Sequence, residues 1–369
     1  MKKSKMATTK FTHEEQLAMS ASDPVIRTRQ LNSSRQAADC EVVTRYPNFD
    51  WLRHFLALEV LLWHIDTVAV KFPFTLVIPP VPGFLAISGY LVLHSWDHSR
   101  SAGHFWWKRF LRIIPAMTAS FILVWVLFDF ESVVASLKLY LSLGFINTGQ
   151  MSNGPLWSLG WEEVMYATIP ALSLLGAYHR RAWILWCALG AALVYLFASS
   201  DLPRGIALSG SQLPAAFVLG NLAYVYKNSI APFACRFGYY IAGFAITLRL
   251  IEHGLDGFIV PGQRIPENSL IWLLLIVAVL LIGLARQSAR SLKMDISYGI
   301  YIYHWPIMRS LVDIGLTSIF LFPICISLTI AAAFLSWFVI EKPSLSLKNQ
   351  LDWGALSGNG TTAAALKSP

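Results

Sequence analysis

Charge is what this chain has least of: Asp, Glu, Lys and Arg make up 14% of its 369 residues against 55% hydrophobic ones, and its mean hydropathy is +0.53. So small a polar complement cannot clothe a dissolved globule of this length, which argues against an ordinary soluble enzyme. Cysteine is scarce too. Cys40, Cys187, Cys235 and Cys325 show no paired spacing and three of them sit in apolar runs, so neither a disulfide framework nor a zinc site is expected. The sequence contains no Gly-x-Ser-x-Gly elbow and no phosphate-binding glycine-rich loop, which removes support for hydrolase and nucleotide-hydrolysing chemistry. It also shows no internal repeat of the kind from which many transporters are built.

What is present in quantity is long apolar sequence. Stretches of about 15 to 24 residues, enough to cross a hydrocarbon core roughly 30 Å thick, recur from Leu52 to Glu341. They predict spans near 52–70, 83–96, 113–128, 160–178, 182–199, 213–227, 231–251, 269–286, 297–315 and 318–341, with 133–147 as an interfacial or re-entrant segment because of its length and Lys138. The fold class expected is all-α, a polytopic transmembrane bundle of about ten helices with the lipid bilayer as its solvent. If the N-terminus is cytoplasmic, 21 of the 29 Lys and Arg residues fall inside and 5 outside, a distribution that supports both termini in the cytoplasm. The net charge of +8 is thus a topology signal, and no nucleic-acid partner is expected. Residues 1–46 lack the apolar core of a signal peptide and read as a flexible basic cytoplasmic tail; 47–348 form the membrane domain, and 349–369 a second flexible tail.

An ionisable side chain inside a span is a functional candidate by default, since it is costly unless it faces a partner or a wet cavity. The first span is richest, with Arg53, Glu59, His64 and Asp66. Eleven residues at about 100° each return His64 to within roughly 20° of the direction of Arg53, about 16 Å further along the axis, so the two share a helix face. Either they act together, or Arg53 reaches for lipid phosphates while His64 makes an interhelical hydrogen bond. In Trp106-Trp107-Lys108-Arg109-Phe110-Leu111-Arg112, the two arginines three apart point the same way and could grip a phosphate; equally, Lys108, Arg109 and Arg112 could form a basic collar at the membrane face. Trp157-Ser158 followed by Glu162, Glu163 and Tyr166 offers an aromatic face and carboxylates suited to a polyhydroxylated ligand, or simply helix-end capping. Ser88-Gly89 reads as a helix-packing notch. His94, His98 and His104 with Asp97 need no metal to explain them, and none is expected.

Taken in order, these segments resemble the acyltransferase-3 family of membrane acyltransferases. The carriers are Phe49-Asp50-Trp51-Leu52-Arg53 with His64, Gly83 to Tyr90, Arg109-x-x-Arg112 with Pro115, Leu156-Trp157-Ser158-Leu159 with Glu162, Glu163 and Tyr166, Ser297-Tyr298-Gly-Ile-Tyr301 with His304-Trp305-Pro306, and Ile340-Glu341-Lys342-Pro343. The resemblance covers the chain from Asn48 to about Lys348. It implies an acyl-CoA donor, most often acetyl-CoA, taken from the cytoplasm, with His64 and Arg53 as the catalytic pair. Arg109 and Arg112, with Lys108 beside them, would hold the CoA phosphates. Glu162, Glu163, Trp157, Ser88 and Tyr166 would then contact an acceptor, for which a surface polysaccharide or lipopolysaccharide sugar at a bacterial inner membrane is the leading expectation, with a glycolipid or small secreted metabolite behind it. Trp51 and His54 stand where the family usually has glycines, and Glu59 stands in a usually apolar stretch, departures that bear on the acceptor pocket. The competing expectation is a proton-coupled transporter using Glu59, His64 and Asp66. Nothing in the sequence speaks to oligomeric state.

Overall fold

The structure, a computed structural model, describes residues 46–70, 77–143, 153–178, 204–259, 269–287 and 292–350. The expected span at 182–199 and nearly all of the two expected tails lie outside the described residues. Among the described residues every regular element is helical: α1 Pro47–Ile65, α2 Pro80–Asp97, α3 Ala102–Leu127, α4 Phe130–Leu141, α5 Trp157–Leu174, α6 Arg204–Val225, α7 Lys227–Ile259, α8 Ser269–Leu284, α9 Ser297–Asp313, α10 Leu321–Ser336 and the short α11 Lys342–Ser346.

The helix starts follow from local chemistry. Pro47 opens α1 where its missing N–H costs nothing, and Asp50 meets the positive end of the helix dipole. Ser101 caps α3 by accepting from the His104 N–H at 3.1 Å, and Asp129 caps α4 by accepting from Ser132 at 3.0 Å. At 12 residues α4 is about 18 Å long, too short to cross, consistent with the interfacial segment expected there.

Helix α3 and the helical run Leu321–Ser346 are long and apolar enough to cross a membrane, and α8 is a shorter apolar helix. Their outer surfaces leave Trp125, Val126, Leu335 and Val339 exposed, as lipid-facing side chains would be.

Helix α1 is the hub, touching α2, α8, α9 and α10. Phe49, Leu56, Leu61 and Ile65 on it are fully buried. Glycines let two neighbours close in. A Cβ on Gly283 of α8 would lie 1.8 Å from the Phe49 ring, and one on Gly89 of α2 would lie 2.1 Å from the Phe217 carbonyl oxygen of α6.

Glu59 has a structural use: 3% exposed, it accepts from the backbone N–H groups of Val77 and Ile78 at 2.8 and 3.4 Å, tying α1 to the approach to α2. The cysteines correct one expectation. Cys325 is free and buried, but Cys235 is disulfide-bonded. Pairing depends on which residues face each other in space, and spacing along the sequence does not report that.

Candidate active site

Two cavities lie along the α1 axis. The first, of about 260 Å³, opens at the end where α1 and α9 begin; the second, of about 280 Å³, lies where α1 ends. Val81 and Tyr301 line both, so they form the partition.

The first cavity is basic. Arg53, Arg109, Arg112 and Lys348 line it against the acids Asp295 and Glu162. Arg53 Nη1 and Arg112 Nη2 converge on the same Asp295 oxygen at 3.0 and 2.5 Å, and Ser297 Oγ donates to the other at 2.5 Å. Burial by itself would raise the pKa of Asp295, but Arg112 and Arg53 override it and hold the carboxyl well below the usual carboxylate range. Asp295 therefore fixes two guanidinium groups that would otherwise repel. Lys348 is pushed down to about 8 by burial and by Arg112, Arg109 and Lys108, with Asp295 partly opposing. Arg109 stands 5.8 Å from the centre of the Tyr166 ring and donates to Ser95 Oγ at 3.4 Å. Lys108 does not line the cavity; its Nζ donates to Ser99 Oγ at 3.0 Å.

The expected acceptor-binding residues divide between the cavities. Ser88, Glu162 and Tyr166 belong to the basic cavity, where Ser88 Oγ donates to Glu162 Oε1 at 2.6 Å and Tyr166 donates to the same oxygen. Glu163 lines neither. Trp157 belongs to the second cavity, with Trp63, His64, Gln212, Trp272 and the Arg249–Glu252 ion pair at 2.7 Å. The turn before α5 is pinned by Asn153, whose Nδ2 donates to Tyr140 OH and the Ile302 carbonyl, each at 2.9 Å. That bond set ties α4 and α9 to the turn that leads into α5.

Arg53 and His64 thus share a helix but not a cavity. Arg53 is committed to Asp295, whereas His64 hydrogen-bonds His304 of α9, Nδ1 to Nε2 at 3.0 Å, and packs against Trp63 and Trp305. A short π-helical turn, Asp66–Val70, follows directly, a local widening often found beside functional residues. Tyr301 is held across the partition: it donates to the Pro155 carbonyl at 2.8 Å and is joined to Ser158 Oγ at 2.6 Å.

Asp295, Tyr301, His304 and Lys348 were not among the expected site residues. Asp295 and Lys348 sit in basic stretches where a single charge looks solvated, and a lone histidine in an apolar helix carries no signal of its partner. The one available clue was that Tyr301 and His304 fall within the Ser297-to-Pro306 motif.

The comparisons agree with these motifs. The family model described as "Acyltransferase domain", of the acyltransferase-3 type, matches residues 46–340. "Nodulation protein 10" from Rhizobium leguminosarum bv. viciae is 27% identical over 82% of this chain and 94% of its own length. "Putative acetyltransferase ORF330" from Acidianus two-tailed virus is 23% identical over 82% of this chain and 92% of its own. No solved structure matches at a comparable level. A family match of that extent makes the chain a member of the acyltransferase-3 family, a membrane-embedded O-acyltransferase.

Proposed function

We propose that this enzyme moves an acyl group, acetyl in the first instance, from acyl-CoA in the basic cavity to a hydroxyl of a carbohydrate-bearing acceptor in the aromatic one. The observation that carries the reading is the pair of unlike cavities meeting at Tyr301, basic on one side, with His64 and three tryptophans on the other. Four basic side chains suit the phosphates of CoA, and the cavity volume suits a pantetheine arm rather than the whole nucleotide. Trp63, Trp157 and Trp272 offer faces on which a sugar ring packs, and Gln212, Arg249 and Glu252 offer hydroxyl partners. A surface polysaccharide, a lipopolysaccharide sugar or a glycolipid has that chemistry.

In this scheme the acceptor oxygen attacks the thioester carbonyl while neutral His64 takes its proton; the C–S bond then breaks and the CoA thiolate recovers the proton from His64. Arg53 works from the donor side, through Asp295 and Arg112, rather than on His64. The basic cavity faces the cytoplasm of a bacterial inner membrane, in keeping with the positive-inside distribution. Purified His64→Ala should bind acetyl-CoA as the parent does but lose acyl transfer by about 100-fold or more. Unchanged transfer would sink the scheme. Mass spectrometry of surface glycans from a deletion strain should show an acetyl increment missing.

A further inference from the structure

The proton in the His64–His304 hydrogen bond can be located from the acceptors around it. His304 Nδ1 lies 3.1 Å from the Ile300 carbonyl oxygen, one turn back on α9. A carbonyl oxygen only accepts, so His304 Nδ1 carries hydrogen. His304 is 0% exposed, and among the described residues the titratable side chains facing it are His64 and Tyr301, not a carboxylate. A charged imidazolium is costly in such a place, so the ring is neutral and its Nε2 bears a lone pair. His64 Nδ1, 3.0 Å away, must then be the donor. Its own Nε2 keeps the lone pair, on a side chain that lines the aromatic cavity.

We infer that His304 is a positioning residue that sets the tautomer of His64, holding hydrogen on Nδ1 so that Nε2 is the basic nitrogen offered to the acceptor hydroxyl. The inference rests on the reading of His64 as the base and adds what makes it competent. With the proton on Nε2 instead, His64 would present a donor to the acceptor and could not remove its hydrogen. During transfer the acceptor O–H bond breaks and its proton goes to His64 Nε2, the new C–O bond forms, the C–S bond breaks, and the thiolate takes the proton back. In the interval the imidazolium Nδ1–H donates more strongly to His304 Nε2, which stabilises the charge. Stacking of the two rings, with centroids 5.0 Å apart and planes 27° apart, and the edge of Trp305 against His64 keep the bond aligned.

The test uses the full chain in vesicles of the parent cell's membrane, which carry its hydroxyl acceptor, with acetyl-CoA as the probe and CoA thiol release as the rate. His304→Leu removes the acceptor, whereas His304→Gln puts an amide oxygen in its place, and ¹⁵N NMR of labelled histidine reads the tautomer directly, with His64 assigned by its absence in His64→Gln. We expect Nδ1–H on His64 in the parent. His304→Leu should lose kcat on the order of 100-fold with little change in KM for acetyl-CoA, and His304→Gln should recover most of it. Hydrogen found on His64 Nε2 in the parent, or equal impairment of the Leu and Gln variants, would overturn the inference. Full activity in His64→Gln alongside an Nδ1–H signal in the parent would instead refute His64 as base while leaving the tautomer assignment measured.

Discussion

Single charges in this protein take their meaning from what surrounds them. Lys348 sits near the end of the membrane domain, yet it closes the basic cavity beside Arg109 and Arg112. Burial and those neighbours bring it down to about 8, so it loses its proton within an accessible pH range. The anionic acyl-CoA proposed for this cavity would bind the protonated form better, so its affinity is expected to fall as pH rises through that value. KM for acetyl-CoA is expected to climb several-fold between about pH 7 and pH 9 in the parent and to stay flat in Lys348→Arg, whose guanidinium remains charged throughout. Steady-state kinetics across that range, in vesicles of fixed composition, would check both. A rise of equal size in Lys348→Arg would assign the effect elsewhere. Asp295 is the counterpart: neutralising it would leave Arg53 and Arg112 facing each other without the carboxylate that joins them.

Between helices, backbone approach sets the geometry of the site. Helices α2 and α6 touch through Gly89 and Gly220, where an added Cβ would meet a backbone oxygen at 2.1 Å in each case. Backbone cannot yield as a side chain tip can, so Gly89→Ala or Gly220→Ala must part the two helices that carry Ser88 and Gln212 into the two cavities. A loss of about 1 to 3 kcal/mol is expected, seen as a lower thermal midpoint in detergent. Gly243 of α7 is the control, because nothing lies within 4 Å of its Cβ position. Gly243→Ala should leave the midpoint unchanged or raise it, helix propensity favouring Ala by about 0.5 to 1 kcal/mol. Composition had suggested the small-residue notch at Ser88-Gly89, but not that α6 would fill it. The reason is that a small residue permits close approach without naming what approaches.

Over the whole molecule, contacts sort the helix ends into two sets. Asn48 at the start of α1 donates to the Ile282 and Arg286 carbonyls at the end of α8, and Trp107 of α3 donates to the Leu347 carbonyl. At the opposite end Glu59 holds the backbone before α2. If the first set faces the cytoplasm, a cysteine at the exposed position His98 should react with a membrane-impermeant maleimide only after cells are opened, whereas one at Ile314 should react in intact cells. The reverse pattern would turn the basic cavity outward and refute the proposed topology. Among the described residues Val81 and Tyr301 line both cavities, so the proposed transfer would take place at that partition.

Much of this was legible without coordinates. Apolar run lengths gave an all-helical membrane chain, the three-residue spacing placed Arg109 and Arg112 together, and six ordered motifs gave the family, because each of these depends on residues close along the chain. The eleven-residue interval likewise put Arg53 and His64 on one face of α1. What periodicity could not supply was the partner of each: Asp295 lies 242 positions from Arg53, and His304 lies 240 positions from His64. A helix face states a direction, while the packing of α9 against α1 decides what stands there. Tertiary structure therefore split the expected pair between two cavities, placed Glu162, Tyr166 and Ser88 in the basic one, and gave His64 the neighbour inferred to determine which of its nitrogens is free.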